Sequence, residues 1–131
     1  MRKVEILESS RELTVREKLN IKMGENTSLD EALGNTIESG ADTLCVNVNG
    51  YAVLKIHLDK PDQTGKTERD ALAILLEDGC YITASQTFIE RFREIWDTMT
   101  EDGNTSPVGI AVRRGESKNY KGKYFITCNI L

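Results

Sequence analysis

Thr43-Leu44-Cys45-Val46-Asn47-Val48-Asn49-Gly50-Tyr51-Ala52-Val53-Leu54-Lys55-Ile56-His57-Leu58 is the stretch on which the fold assignment rests. Strand-forming residues crowd both halves, and Asn49-Gly50 separates them. Both turn residues tolerate positive φ, so the dipeptide is a strong hairpin signal. A strand over 43–48 and a return strand over 51–58 are expected. On the return strand, Ala52, Leu54, Ile56 and Leu58 share one face, and Tyr51, Val53, Lys55 and His57 share the other.

Downstream, residues 59–69 read as a polar loop containing Pro61 and Gly65. A second hairpin runs over 72–76, turns at Asp78-Gly79 and returns over 80–83. Ser85 is placed as a helix N-cap. Phe88, Ile89, Phe92, Ile95, Trp96 and Met99 then form one apolar stripe of period 3.6, which predicts a helix over 86–99. At that spacing Phe92 and Trp96 are core rather than a cofactor shelf. Val108, Ile110 and Val112 alternate in a strand over 108–114. Tyr124, Ile126, Cys128 and Ile130 alternate in a last strand over 123–131.

The upstream portion is less patterned. A short strand is expected over 3–7. Thr14-Val15-Arg16-Glu17 has capping-box spacing, and Ser28-Leu29-Asp30-Glu31 repeats it, starting a helical turn before Gly34. Gly40 closes this region. The fold class is therefore mainly β with one principal α-helix, an α+β chain. Two architectures fit: an OB-like Greek-key barrel with its helix between the third and fourth strands, or a curved antiparallel sheet backed by the helix. At 131 residues the chain is one domain, 1–131, with an acidic N-terminal portion, 1–42, and a β-rich core, 43–131.

The 17 Lys and Arg against 21 Asp and Glu give a net charge of −4, so the chain is no simple polycation. The start, Met1-Arg2-Lys3-Val4-Glu5, has no apolar leader, and no run approaches a membrane span of about 18 residues. Cys45, Cys80 and Cys128 each sit in an apolar run and are odd in number, which points to buried free thiols in a reducing compartment. A cytoplasmic location, in a bacterium or an infected host cell, is expected.

Charge is unevenly spread. Residues 103–131 carry Arg113, Arg114, Lys118, Lys121 and Lys123 against Glu116 alone, a net +4, and the remainder is −8. Within that basic end, Lys118-Asn119-Tyr120-Lys121-Gly122-Lys123-Tyr124-Phe125 interleaves cations with aromatics. Single-stranded nucleic acid is held by that combination, cations on phosphates and rings on bases. Tyr51, Lys55 and His57 give a second face of similar chemistry.

Other chemistries find little support. Gly65-Lys66-Thr67 resembles the end of a phosphate-binding loop, but that motif needs glycine where Lys60 stands. Lys60, Lys66 and Arg69 there can still add phosphate contacts. His57 is the sole histidine, and a nucleophile such as Cys80 or Ser85 has no elbow or oxyanion glycines around it. No metal-ligand spacing occurs. The expectation is a protein that is not an enzyme and has neither cofactor nor metal.

The runs Tyr51–His57, Cys80–Phe88 and Ser117–Cys128 together resemble small single-stranded-DNA-binding proteins of phages and mobile elements of Gram-positive bacteria. The likeness covers roughly residues 43–131. It implies an OB-like or related β fold and a role in DNA replication or recombination, with proteins of those processes as further partners. Cellular proteins of this kind end in an acidic recruiting tail, whereas this sequence closes on Thr127-Cys128-Asn129-Ile130-Leu131. Recruitment would then fall to the acidic N-terminal portion. The nucleic-acid-binding set expected is Tyr51, Lys55, His57, Arg113, Arg114, Lys118, Tyr120, Lys121, Lys123 and Phe125. A homo-oligomer is compatible with this reading. The alternative is an acidic interaction module that inhibits a host protein by imitating nucleic acid.

Overall fold

The computed structural model describes residues 3–23, 27–61, 63–77, 79–101, 103, 107–116 and 124–131. Its elements run β1 (Lys3–Ser9), α1 (Val15–Met23), β2 (Thr27–Ser28), α2 (Leu29–Glu38), β3 (Leu44–Val48), β4 (Gly50–His57), β5 (Glu68–Leu75), β6 (Cys80–Thr83), α3 (Gln86–Met99), β7 (Val108–Glu116) and β8 (Tyr124–Ile130). This is an α+β fold built on two sheets. The larger sheet has the order β1-β4-β5-β6-β2, and the smaller has the order β3-β7-β8. Pairing is antiparallel except at the two-residue β2, which lies parallel to β6.

The second expected hairpin is present as β5 and β6, with Leu75 opposite Cys80 and the Leu76 N–H donating to the Gly79 carbonyl at 2.8 Å; Asp78 itself lies outside the described residues. The Asn49-Gly50 hairpin is not formed. Strand β3 pairs with β7, while β4 pairs with β1 and β5, so the chain changes sheets at Asn49. Neither residue has positive φ. The Asn49 N–H donates to the Leu75 carbonyl at 2.7 Å, and its own carbonyl accepts from Arg11 Nε at 3.3 Å. Glycine at 50 serves close approach instead: a Cβ there would lie 2.9 Å from Ser10 Oγ. This crossing also decides against a closed OB barrel, because β3 is drawn into a second sheet rather than closing the first.

Over residues 50–54 of β4 and 71–75 of β5 both faces of the larger sheet are covered. Ala52, Leu54 and Ile56 of β4, with Ala71, Ala73 and Leu75 of β5, form one face with Ile21 of α1 over it. Ala52 and Ala73 stand directly opposite each other. The other face carries Tyr51, Leu72 and Ile74 and meets Phe88, Phe92 and Ile95 of α3. Leu29 and Leu33 of α2 and the inner side chains of the smaller sheet, Val48, Ile110, Val112, Ile126 and Cys128, join the same cluster. Burying this apolar surface is the main favourable term holding the sheets together.

Helix α3 spans the expected residues. The Ser85 hydroxyl accepts the Phe88 N–H at 3.4 Å, as an N-cap should. Helix α2 runs past Gly34 to Glu38, because Leu29, Ala32 and Leu33 give it an inward face. Beyond the Ser39 cap, Gly40 has φ of 102°, which lets the Gly40 and Ala41 N–H groups turn back onto the carbonyls of Ile37 and Thr36.

The capping box at the start of α1 is formed in both directions. The Glu17 N–H donates to Thr14 Oγ1 at 3.1 Å, and Glu17 Oε1 accepts the Thr14 N–H at 3.0 Å. Arg11 adds a two-pronged pair to the Glu17 carboxylate at 2.8 and 2.7 Å. The Arg11 guanidinium, helped by the Thr14 N–H, pulls the Glu17 carboxyl down to about 2 against an ordinary value of 4.5, with burial opposing. A depressed acid stabilises the fold above its unfolded pKa, and that contribution is lost as pH falls through the folded one. Urea unfolding should therefore show stability falling from about pH 4.5 towards pH 2. Glu17→Gln should flatten that part of the profile. An identical acid limb in wild type and variant would refute the assignment.

Candidate nucleic-acid interface

The expected binding residues separate into two groups. Tyr51, Lys55 and His57 lie on the α3 side of the larger sheet, as the alternation predicts, but none is poised for nucleic acid. Tyr51 is only 8% exposed. Its ring stands edge-on to Phe92 at 5.9 Å and to Trp96 at 5.7 Å, and the Arg93 guanidinium lies 5.8 Å from its centroid. A base cannot stack on a ring already enclosed by α3, so this expectation is corrected.

Lys55 and His57 lie past the edge of that cluster, among carboxylates. Lys55 Nζ is 3.5 Å from Glu68 Oε2. His57 Nε2 is 3.4 Å from Glu5 Oε2, and its Nδ1 is 3.5 Å from Glu68 Oε1. Across the strands Glu5 faces Lys55 and Lys55 faces Asp70, while Lys3 faces His57 and His57 faces Glu68. The face holds Glu5, Glu68 and Asp70 beside Lys3, Lys55 and His57, so its cations are largely offset by neighbouring carboxylates. The sequence signal was the cation spacing on β4. The cancelling acids come from other strands, Glu68 and Asp70 from the next one in the chain and Glu5 from the distant β1.

An open groove of about 870 Å³ adjoins this face. Lys55, Lys66 and Arg69 line it, but so do Glu68 and Asp70, with Gln86 at the start of α3. It contains the Gly65-Lys66-Thr67 run, and Gly65 has φ of 83°.

Arg113 and Arg114 differ from the cations of β4. Both are exposed near the end of β7, and neither forms an ion pair with a residue whose side chain is described. Strand alternation sends them to opposite faces of the smaller sheet. Arg113 stands on the outer face, opposite Thr127. Arg114 lies on the side of α2: its Nη2 is 3.6 Å from where a Cβ on Gly34 would be, and it shares a shallow cleft with Asp30, Phe125 and Ile126. Half-buried Phe125 packs its ring against Gly115, its cross-strand neighbour, where a Cβ would collide. Lys118, Tyr120, Lys121 and Lys123 lie outside the described residues.

The outer face of the smaller sheet also carries residues that the sequence reading passed over. Exposed Cys45 and Asn47 stand on β3, opposite Ala111 and Gly109 of β7, with Thr127 and Asn129 on β8. Their grouping depends on β3 joining β7, which no local signal indicates. Along β8, Arg91 of α3 donates to the Cys128 carbonyl at 3.3 Å and to Asn129 Oδ1 at 2.8 Å, which secures the helix beside that edge strand.

The cysteines also depart from expectation in one case. Cys80 and Cys128 are buried, and burial pushes both thiols up to about 11, but Cys45 is exposed. Cys80 belongs to the α1 side of the larger sheet and His57 to the α3 side, so a Cys80–His57 pair is not assembled. Among the described residues no helix is long and apolar enough to cross a membrane. No family model, curated protein or solved structure matches the chain.

Proposed function

We propose that this chain is a sequence-tolerant binder of single-stranded DNA, serving replication or recombination of phage or mobile-element DNA in a bacterial cytoplasm. The binding end is that of β7 and β8, with Arg113 and Arg114 on phosphates and Phe125 beside them. Lys118, Lys121 and Lys123 add charge, and Tyr120 stacks on a base. One observation carries the reading: Arg113 and Arg114 are exposed and form no ion pair with a residue whose side chain is described, whereas Lys55 and His57 are each held by acids. Lys55, His57 and Tyr51 are accordingly no part of this interface. Three cysteines outside any disulfide suit a reducing compartment. Self-association would raise avidity by effective concentration, which suits so small a site.

Fluorescence anisotropy with a labelled oligo-dT of about 30 nucleotides, a matching duplex and an RNA of equal length tests this. The expected result is tight binding to the single strand that weakens steeply with salt, and a weak duplex signal. No binding at low salt would reject it. Capture of a basic protein with no oligonucleotide binding would instead favour a nucleic-acid mimic, whose acidic face would be that of Glu5, Glu68 and Asp70.

A further inference from the structure

Helix α1 presents an apolar stripe to solvent. Val15, Leu19 and Met23 recur at i, i+4 and i+8 and are 73%, 49% and 74% exposed. At 3.6 residues per turn they fall within an arc of about 80°. Ile21 on the far side is the helix's one buried residue and anchors it to the larger sheet. Lys18 and Lys22 border the stripe on one side and Arg16 on the other. All three cations are exposed, and none pairs with a described carboxylate. The helix's own acid, Glu17, is occupied by Arg11 and Thr14. The result is an apolar ridge bordered by cations of the helix itself, with the glutamates of β1 and its following loop lying beyond Lys18 and Lys22.

We infer that α1 docks an acidic amphipathic segment of a partner protein, with apolar side chains on Val15, Leu19 and Met23 and carboxylates towards Arg16, Lys18 and Lys22. Charge complementarity selects this occupant. A second copy fits poorly: two-fold pairing of α1 with itself would set cations against cations. Nor do the other helices offer a matching acidic stripe, since the apolar residues of α2 and most of those of α3 are turned inward. An anionic bilayer also fits poorly. The cleft between α1 and β1 sets Glu5, Glu8 and Glu12 beside Lys3, Lys18 and Lys22, and a flat anionic surface would meet those acids too. A single helical segment meets only the ridge. The site lies on the opposite side of the larger sheet from α3, so it is independent of the interface proposed above.

The test titrates isotope-labelled protein with a synthetic helical peptide carrying leucines at i, i+4 and i+8 flanked by glutamates, and with its lysine counterpart. The glutamate peptide should saturably shift the amide signals of residues 15–23, and the lysine peptide should not. Leu19→Ser with Met23→Ser should weaken binding about tenfold while the melting temperature stays unchanged, since both side chains are solvent-facing. Lys18→Glu with Lys22→Glu should reverse the preference between the peptides. Equal binding of both peptides, absence of saturation, or shifts away from α1 would overturn the inference. So would binding to phosphatidylglycerol vesicles, or a dimer in sedimentation, that the Leu19/Met23 variant abolishes, because the occupant would then be a membrane or a second copy.

Discussion

Arg113→Ala combined with Arg114→Ala is expected to weaken oligo-dT binding by about tenfold near physiological salt and to lower the salt slope by about 1.4. The slope follows from counterion release, roughly 0.7 per phosphate contact on a single strand, and two contacts are removed. Neither side chain is buried or paired with a described carboxylate, so the fold should be untouched. Lys55→Ala with His57→Ala is the informative companion. Those residues are already matched by Glu5 and Glu68, so affinity should hold or rise slightly as the local charge changes. Anisotropy over a salt series reads both variants. Equal losses from the two pairs would mean that the larger sheet contributes to binding. An unchanged slope in the arginine variant would remove the β7 end from the interface.

Phe92→Ala should have the largest effect on stability. Phe92 is fully buried where α3 meets both sheets. Its ring lies 5.9 Å from Phe88, 5.9 Å from Tyr51 and 6.0 Å from Trp96. Truncation leaves a cavity bordered by rigid rings, which collapse poorly into it. A buried Phe→Ala change costs about 3–5 kcal/mol, against a total of about 5–15 kcal/mol for a domain. Urea unfolding should therefore show a much lower midpoint, with the variant partly unfolded at body temperature. Met99→Ala, at the exposed end of the same stripe, should cost under about 1 kcal/mol. Similar costs at the two positions would mean that the α3 stripe does not bridge the sheets.

The sequence by itself determined the elements whose signals are local. Helix α3 was legible at both ends because its stripe and its Ser85 cap lie within fifteen consecutive residues. The β5–β6 hairpin and the Thr14–Glu17 capping box were legible for the same reason: the groups that meet lie within about a dozen residues of one another. The faces of β4 were also correctly divided, since alternation needs no knowledge of the neighbours.

Only the tertiary structure decided what those faces meet. Asn49-Gly50 has the composition of a hairpin turn, yet β3 gains more by pairing with β7, some sixty residues away, and burying Val48 against the α3 cluster. Tyr51 looked available because alternation separates it from Ala52 and Leu54; that α3 covers it depends on packing between distant elements. Lys55 and His57 looked like a basic face because their acids, Glu5 and Glu68, are brought beside them by the pairing of β1, β4 and β5. Period and caps act through neighbouring residues and are written in the chain. Partner strands and neutralising charges come from long-range contacts, whose choice is set by the total apolar surface buried rather than by any single segment.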